Sequence, residues 1–221
     1  MKYEDIRPEL DTFDVVLFQG SGWFSRLIGL FCKKWSHVGL VVKTDKEFYI
    51  PVKYRMLSLP INCTQTLVCN ETNPFAREDV LMIFESAIID KVNGVQLNLL
   101  SDRIKSYKGK VFIRRFIYDR TEKDRGTFSR FISKYLETPY ERDILELLGG
   151  AIKIGKNQED LKDFFCSELA AESFQDVGFL PQIPPSNKYS PYDFANGAVS
   201  KNLIKGKFGE PVEIEKGNKN D

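Results

Sequence analysis

Short apolar runs bounded by polar residues and glycines recur through the first half of the chain. Runs of this length and composition predict buried β-strands that end at turns. The predicted strands cover residues 14–18, 37–42, 46–52, 80–87 and 109–116. A further short strand over residues 94–97 leads into a short helix that includes Ile104.

Helical spacing of apolar residues replaces these runs in the second half of the chain. One predicted helix has a single apolar face, formed by Phe128, Phe131, Ile132 and Tyr135. This helix must end before Pro139, because the residue that precedes a proline avoids the helical conformation. Residues 144–152 predict another helix, broken near a pair of glycines.

Strands followed by helices predict one α+β domain, which we assign to residues 1–204. A chain of 221 residues is long enough to bury a substantial core. Residues 53–78 contain turn formers and no regular period, so they predict an irregular insertion into this domain. From about Lys205 the sequence becomes polar and glycine-rich, so residues 205–221 are predicted to form a frayed C-terminal tail.

The charge balance excludes a strong overall attraction to nucleic acid. The chain has 32 Lys and Arg against 31 Asp and Glu, a formal net charge of +1, so we expect no nucleic-acid partner. The N-terminus lacks the apolar core of a signal peptide, and no apolar run reaches the ~18 residues of a membrane helix, so we expect a cytoplasmic protein. Residues 23–34 form an amphipathic segment with basic flanks that can rest on a membrane surface, although packing within the domain is the favoured interpretation.

The cysteines do not indicate a metal site. Cys63 and Cys69 are separated by five residues and have no histidine nearby, which differs from the usual zinc spacing. A cytoplasmic chain of this length needs no disulfides, so all four cysteines, Cys32, Cys63, Cys69 and Cys166, are predicted to be reduced thiols. We expect neither a metal ion nor an organic cofactor.

The sequence around Cys166 favours reactivity. Strong helix formers follow it as far as Phe174, and Gly178 is a plausible stop, which predicts a helix with Cys166 in its first turn. There the unpaired backbone N–H groups and the helix dipole favour a thiolate and can bind a negative oxygen formed on a substrate. The alternative is a buried cysteine that acts as a small apolar residue, which is the commoner role of a cysteine.

The single histidine of the chain is the partner that a reactive thiol requires. His37 begins a predicted strand, where its alternative role is structural. Together with Cys166 it forms a candidate catalytic dyad. Glu85 lies near the end of another predicted strand. A solvated carboxylate is the commoner interpretation there, but a histidine base needs a third group that fixes its tautomer and orientation.

The order of His37, Glu85 and Cys166 along the chain resembles that of the circularly permuted papain-like amidases, the YiiX-like branch of the NlpC-type cysteine hydrolase superfamily. The motifs that match lie between about residues 13 and 195 and are Asp14-Val15-Val16-Leu17-Phe18, Trp35-Ser36-His37-Val38-Gly39-Leu40-Val41, Phe84-Glu85-Ser86-Ala87, Val111-Phe112-Ile113-Arg114-Arg115 and Phe165-Cys166-Ser167-Glu168-Leu169. In this family the histidine precedes the cysteine, the reverse of the order in papain. The resemblance implies an antiparallel sheet or partial barrel packed on the cysteine-bearing helix.

The resemblance also implies site residues and a mechanism. Cys166 would be the nucleophile, His37 the base and Glu85 the orienting acid. The Cys166 thiolate, paired with the His37 imidazolium, would attack an amide carbonyl and form a thioester acyl-enzyme that water hydrolyses. The backbone N–H of Cys166 and the hydroxyl of Tyr140 would hold the oxyanion, and Ser167 is a further candidate for contact with the oxyanion or the substrate.

Two other functions stay open at this point. A lipid-directed acyltransferase or thioesterase agrees with the apolar residues in the segment 23–31 and with a resemblance to relatives of lecithin retinol acyltransferase. A catalytically silent binding module on the same fold is the other alternative, which the intact set of Cys, His and Glu disfavours. The expected partner is accordingly a small-molecule, peptide or lipid-linked acyl substrate.

Overall fold

A six-stranded antiparallel sheet forms the centre of the protein, whose computed structural model describes residues 1–20, 35–44, 52–53, 66–67, 80–89, 92–136 and 158–216. The strands are β1 Val15–Gln19, β2 His37–Thr44, β3 Val52–Lys53, β4 Thr66–Leu67, β5 Val80–Ile89, β6 Val92–Leu99, β7 Lys110–Arg114, β8 Phe116–Ile117, β9 Lys207–Phe208 and β10 Val212–Ile214. The order in the main sheet is β10-β7-β1-β2-β5-β6. Two further antiparallel pairs join β3 with β4 and β8 with β9.

The helices are α1 Tyr3–Ile6, α2 Leu100–Ser106, α3 Glu122–Tyr135, α4 Gln158–Val177, α5 Pro191–Asn196 and α6 Ala198–Asn202. A capping box begins α3: the N–H of Asp124 donates to the Thr121 hydroxyl at 3.2 Å, and the N–H of Thr121 donates to the Asp124 carboxylate at 2.9 Å. Gly178 follows the last residue of α4 with a φ of 81°, a left-handed conformation that glycine adopts without strain. The predicted stop at Gly178 is therefore correct.

Each face of the main sheet carries its own apolar cluster. Val38 and Leu40 of β2 pack with residues of α3 and α4 on one face, which we call the α4 face. Val41 packs with residues of α1 and α2 on the opposite face, which we call the α2 face. Successive side chains of a strand point to opposite faces, so the pairing of Phe18 with His37 assigns both of these side chains to the α2 face.

The α+β class and the antiparallel sheet are confirmed. The strands predicted over residues 14–18, 37–42 and 80–87 correspond to β1, β2 and β5. The predicted helix with the phenylalanine face is α3, whose Phe128, Phe131 and Ile132 are buried. Most of the insertion over residues 53–78, the amphipathic segment over 23–34 and the helix predicted over 144–152 lie outside the described residues.

The prediction that the chain frays beyond Lys205 is wrong for residues 207–214. Lys207 and Phe208 pair with Ile117 and Phe116, and residues 212–214 add an edge strand to the main sheet beside β7. Ile214 is 3% exposed. The apolar residues Phe208, Val212 and Ile214 are spaced among charged ones, so the average polarity of this segment hid a strand pattern that buries only alternate side chains.

Candidate functional site

The candidate site lies on the α2 face of the sheet, at the end where β2 begins. His37 is the first residue of β2, and Glu85 lies on the neighbouring strand β5. Gly39 leaves space between them: an ideal Cβ at Gly39 would lie 2.7 Å from Ile83 Cδ1 and 3.2 Å from Glu85 Cβ. The absence of a side chain at Gly39 therefore gives the Glu85 side chain room to reach along the sheet surface to His37.

The carboxylate of Glu85 joins three side chains from three different elements. His37 Nε2 lies 2.7 Å from Glu85 Oε2. Arg103 Nε, on α2, donates to Glu85 Oε1 at 2.7 Å, and Asn98 Nδ2, on β6, donates to the same oxygen at 3.4 Å. The Glu85 side chain is 0% exposed and the His37 side chain 13%. The contact that we expected between Glu85 and His37 is present, and the arginine and the asparagine are additions to it.

Electrostatics keep the buried carboxylate ionised. Burial by itself raises the pKa of Glu85, but the charge of Arg103 and the hydrogen bond and charge of His37 outweigh burial and hold this pKa at about 2. An ionised carboxylate only accepts hydrogen bonds, so the proton between the two side chains belongs to His37 Nε2. In the neutral imidazole the lone pair is then on Nδ1, the nitrogen that can act as a base.

Aromatic rings enclose the charged groups on this face. The rings of Phe18 and His37 lie 5.2 Å apart, and the guanidinium carbon of Arg103 lies 4.7 Å from the centre of the Phe18 ring and 5.3 Å from that of Tyr107. Packing against both rings orients the guanidinium and removes it from water, which strengthens its pairing with Glu85.

Cys166 occupies a different place from the one predicted. The helix α4 begins at Gln158, eight residues before Cys166, so the prediction that Cys166 lies in the first turn of its helix is wrong. Four of the five residues from 158 to 162 are strong helix formers that extend the helix upstream, and the negative charges of Glu159 and Asp160 suit its first turn. The backbone N–H of Cys166 therefore lies in the helix interior and not among the unpaired groups of a helix start.

The sheet separates Cys166 from His37. Cys166 is 1% exposed and belongs to the apolar cluster of the α4 face, together with Val38 and Phe84. His37 and Glu85 are the chain neighbours of those two residues, and their side chains point to the α2 face. The structure therefore brings Glu85 to His37 but places the thiol behind the two strands that carry them.

The two residues predicted to assist at the oxyanion have different outcomes. Ser167 is fully buried, and its hydroxyl donates to the carbonyl of Tyr189 at 2.7 Å, which ties α4 to the turn before α5. This hydroxyl proton is engaged within the fold, so the structure does not support contact between Ser167 and a substrate. Tyr140 lies outside the described residues, as do the cysteines Cys32, Cys63 and Cys69.

Sequence reasoning missed Arg103 and Asn98. The buried residues of α2 are Leu100, Arg103 and Ile104, so the arginine stands on the apolar face of a short helix. A charged residue at such a position indicates a buried counter-charge, because arginine is rarely buried unpaired. This signal was present in the sequence. The partner of Arg103 lies 18 positions away and could not be named from spacing.

The described residues offer neither a metal site nor a membrane-spanning helix. In that part of the chain, no group of three or more His, Cys, Asp or Glu side chains could hold a metal ion. None of the described helices combines the length and the apolar character needed to cross a membrane.

Comparison with known proteins gives a remote structural likeness. No protein-family model matches the chain, and no curated protein matches it. Among solved structures, the chain is similar to the metalloprotein YiiX of Escherichia coli O157:H7, with 14% sequence identity and a TM-score of 0.44 over 93% of this chain and 97% of that one. A likeness of this size does not define an activity, so the function proposed below rests on the side chains of this chain.

Proposed function

We propose that the protein is a cysteine-dependent hydrolase that cleaves an amide bond through a thioester acyl-enzyme. Cys166 is the nucleophile, His37 the general base and Glu85 the group that orients the base. The observation that carries the proposal is the hydrogen bond between His37 Nε2 and a fully buried, ionised Glu85. Burial of a carboxylate costs several kcal/mol, and the side chain that it holds here is the only imidazole of the chain.

The proposed reaction uses the two nitrogens of His37 for different tasks. Nδ1 takes the proton of the Cys166 thiol as the sulfur attacks the carbonyl carbon, and the imidazolium then gives this proton to the leaving amine as the carbon–nitrogen bond breaks. Water, deprotonated by the same nitrogen, attacks the thioester and releases the acid and the thiol. Nε2 keeps its hydrogen bond to Glu85 throughout, and the carboxylate stabilises the imidazolium.

The proposal requires the thiol to reach the α2 face around the end of β2. His37 is the first residue of that strand, so the proposal places the passage of the thiol at this end of β2. Phe174 packs on Phe13, whose N–H donates to the carbonyl of Val41. Eight residues of helix separate Cys166 from Phe174, about 12 Å, and four residues of strand separate His37 from Val41, about 13 Å. These two lengths are nearly equal, so the proposal requires α4 to run along β2 with Cys166 level with His37.

A second function, a catalytically silent binding module, is favoured by one specific observation. Cys166 is almost fully buried on the face opposite His37, as expected of a cysteine that fills space in a core. On this alternative the His37 and Glu85 pair stabilises the fold and no acyl-enzyme forms.

Intact-mass spectrometry of the protein after brief exposure to acyl-amide, acyl-ester and peptide substrates separates these functions. The hydrolase forms a covalent adduct at Cys166 that is absent in Cys166→Ala and forms about 10²–10⁴-fold more slowly in His37→Ala. Cys32→Ala is the matched control and keeps the adduct. An adduct from amides supports the hydrolase, whereas an adduct only from esters or thioesters supports the lipid-directed acyltransferase or thioesterase.

Alkylation of each cysteine by iodoacetamide, followed by peptide mass spectrometry against pH, supplies the complementary result. A thiol that His37 can deprotonate reacts faster near neutral pH than the other three cysteines and loses this advantage in His37→Ala. No adduct from any substrate, together with alkylation of Cys166 that is slower than that of the other three and indifferent to His37→Ala, would reject the hydrolase in favour of the binding module.

A further inference from the structure

Arg103 is the most strongly fixed charge at the candidate site. Its side chain is 10% exposed, its Nε donates to Glu85 at 2.7 Å, and its guanidinium packs against the rings of Phe18 and Tyr107. An arginine does not lose its proton in proteins, so the Glu85 carboxylate has a permanent positive partner.

A buried carboxylate needs one compensating positive charge. Whether an arginine or a histidine supplies this charge decides the protonation state of the histidine. Where a histidine is the only partner, the carboxylate favours the imidazolium. Here Arg103 already compensates Glu85, so the imidazole of His37 can hold its hydrogen bond to Glu85 without carrying a charge.

We infer that Arg103 is a positioning residue that acts through Glu85: it lets His37 rest as a neutral imidazole, with its proton on Nε2 and a free lone pair on Nδ1. The inference rests on the proposed function, since it names the residue that sets the resting state of the proposed base. It also departs from the thiolate and imidazolium pair that the family resemblance implies, because a neutral imidazole leaves the thiol protonated until the sulfur attacks.

The other groups that border the site act in the same direction. Among the described residues, Lys216 reaches the end of α2, where its Nζ donates to the carbonyl of Tyr107 and lies 5.6 Å from the centre of the Tyr107 ring. Burial and then the charge of Arg103 lower the pKa of Lys216, which shows that the two cations influence each other. The side chains that β1 and β6 present to the site, Phe18 and Asn98, carry no charge. Before His37 is counted, Glu85 is thus paired with one cation, Arg103, and the second cation, Lys216, lies beside Arg103 and not against Glu85.

Nuclear magnetic resonance of the ring nitrogens and protons of His37 tests this inference directly, because the chain contains a single histidine and its signals need no assignment by mutation. In the wild-type protein at about pH 7.5, we expect the chemical shifts of a neutral ring with the proton on Nε2. In Arg103→Met, the imidazolium replaces the guanidinium as the counter-charge of Glu85. The pH at which the ring is half protonated should then rise by about 1–2 units, the size expected when one nearby unit charge is removed from a partly buried site.

Three further variants make the result specific to charge. Arg103→Gln keeps a polar side chain without the charge and should give the same upward shift, which also covers the case in which Arg103→Met does not fold. Arg103→Lys restores a cation and should return the midpoint toward the wild-type value. Arg120→Met removes an arginine from the buried carboxylate of Asp14, at 3.1 Å, and should leave the His37 midpoint unchanged.

Two results overturn the inference. One is a wild-type ring that is already protonated at about pH 7.5. The other is a midpoint in Arg103→Met and Arg103→Gln that equals that of the wild type. Neither depends on turnover, so a protein that forms no acyl-enzyme but shows the expected shifts would reject the proposed hydrolase and leave the role of Arg103 intact.

Discussion

Two buried carboxylates, Asp14 and Glu85, pair with arginines in this protein, but they hold different kinds of group. Asp14 binds backbone groups: it accepts hydrogen bonds from the N–H groups of Asp11 and Phe116, at 3.0 and 2.8 Å. It also pairs with Arg115 at 2.8 Å and with Arg120 at 3.1 Å. These bonds fix the segment before β1 against β8. The bonds to Glu85 described above come instead from side chains, and one of them is the imidazole of His37.

Burial raises and nearby charges lower the pKa of both carboxyl groups, but the net shifts have opposite signs. Burial raises the pKa of Asp14 above its usual value, and the hydrogen bonds and the charges of Arg120 and Arg115 do not fully offset it. Burial also raises the pKa of Glu85, but Arg103 and His37 together lower it to about 2. The difference teaches that a buried carboxylate with an arginine is not by itself a sign of chemistry. It becomes one when the group that it orients can accept and release a proton near neutral pH.

Turnover should separate the two carboxylates by the largest margin. Glu85→Gln replaces a pure acceptor with an amide that both donates and accepts, so the tautomer of His37 is no longer fixed, and we expect kcat to fall about 10²–10⁴-fold. Asp14→Asn makes the same chemical change at the other carboxylate and should leave the kcat of the folded protein nearly unchanged. The measurement is steady-state turnover of a substrate found with the acyl panel. Equal losses in the two variants would contradict the comparison.

Stability at neutral pH should separate them less. Glu85→Gln leaves the buried Arg103 without its counter-charge and should lower the free energy of unfolding by about 3–5 kcal/mol. Asp14→Asn removes a charge that burial already disfavours, as the raised pKa of Asp14 indicates, so this variant should lose less stability than Glu85→Gln. Urea denaturation followed by circular dichroism measures this change. Glu213→Gln is the control, since its pair with Lys110 is exposed on both sides and should contribute less than about 1 kcal/mol. A stable Glu85→Gln protein with low turnover would sharpen the comparison further.

Acid should separate the two carboxylates again, because their pKa shifts have opposite signs. The pKa of Glu85 in the folded protein, about 2, lies below its ordinary value of 4.5, so its stabilisation is complete above about pH 4.5 and is lost as the pH falls toward 2. The loss is about 3 kcal/mol. The stability gap between the wild type and Glu85→Gln should therefore shrink as the pH falls over this range.

The gap for Asp14→Asn should move the other way. A raised pKa means that folded Asp14 binds a proton more readily than the unfolded chain does, so acidification strengthens the wild type relative to this variant. Urea denaturation of the three proteins at a series of pH values between about 2 and 7 measures both trends. Gaps that change in parallel would show that the two sites do not differ in the way their pKa values indicate.

The parts of this arrangement that the sequence predicts are those with a local pattern. The apolar runs at β1, β2 and β5 identify the strands, and the single histidine at a strand start identifies the proposed base. Glu85 could be selected as its partner because it lies on a second predicted strand and because a histidine base requires an acceptor.

The parts that the sequence does not predict depend on register and on distant contacts. The face to which His37 points follows from the pairing of β1 with β2, and a shift of one residue would reverse it. The start of α4 was misplaced because helix propensity fixes the interior of a helix better than its ends. The pairing of Arg103 with Glu85 joins a helix to a strand, and no periodicity of either element specifies it.

Gly39→Ala gives the smallest expected effect and tests whether the Glu85 site depends on space between the strands. The added Cβ would lie 2.7 Å from Ile83 Cδ1 and 3.2 Å from Glu85 Cβ, in a region where Ile83 is fully buried and has little freedom to move. We expect a loss of about 1–3 kcal/mol in the free energy of unfolding, as for other overpacked cores. Gly126→Ala is the matched control, because the nearest side-chain atom to its ideal Cβ is Arg130 Nη1 at 3.8 Å. This change in α3 should therefore stabilise the protein by about 0.5–1 kcal/mol.

The chemical shifts of the His37 ring should change in Gly39→Ala and not in Gly126→Ala, since only the former displaces Glu85. Unchanged stability and unchanged ring signals in Gly39→Ala would mean that Glu85 reaches His37 without the space that the glycine provides, and the orientation of the Glu85 carboxylate would then depend on Arg103 and Asn98.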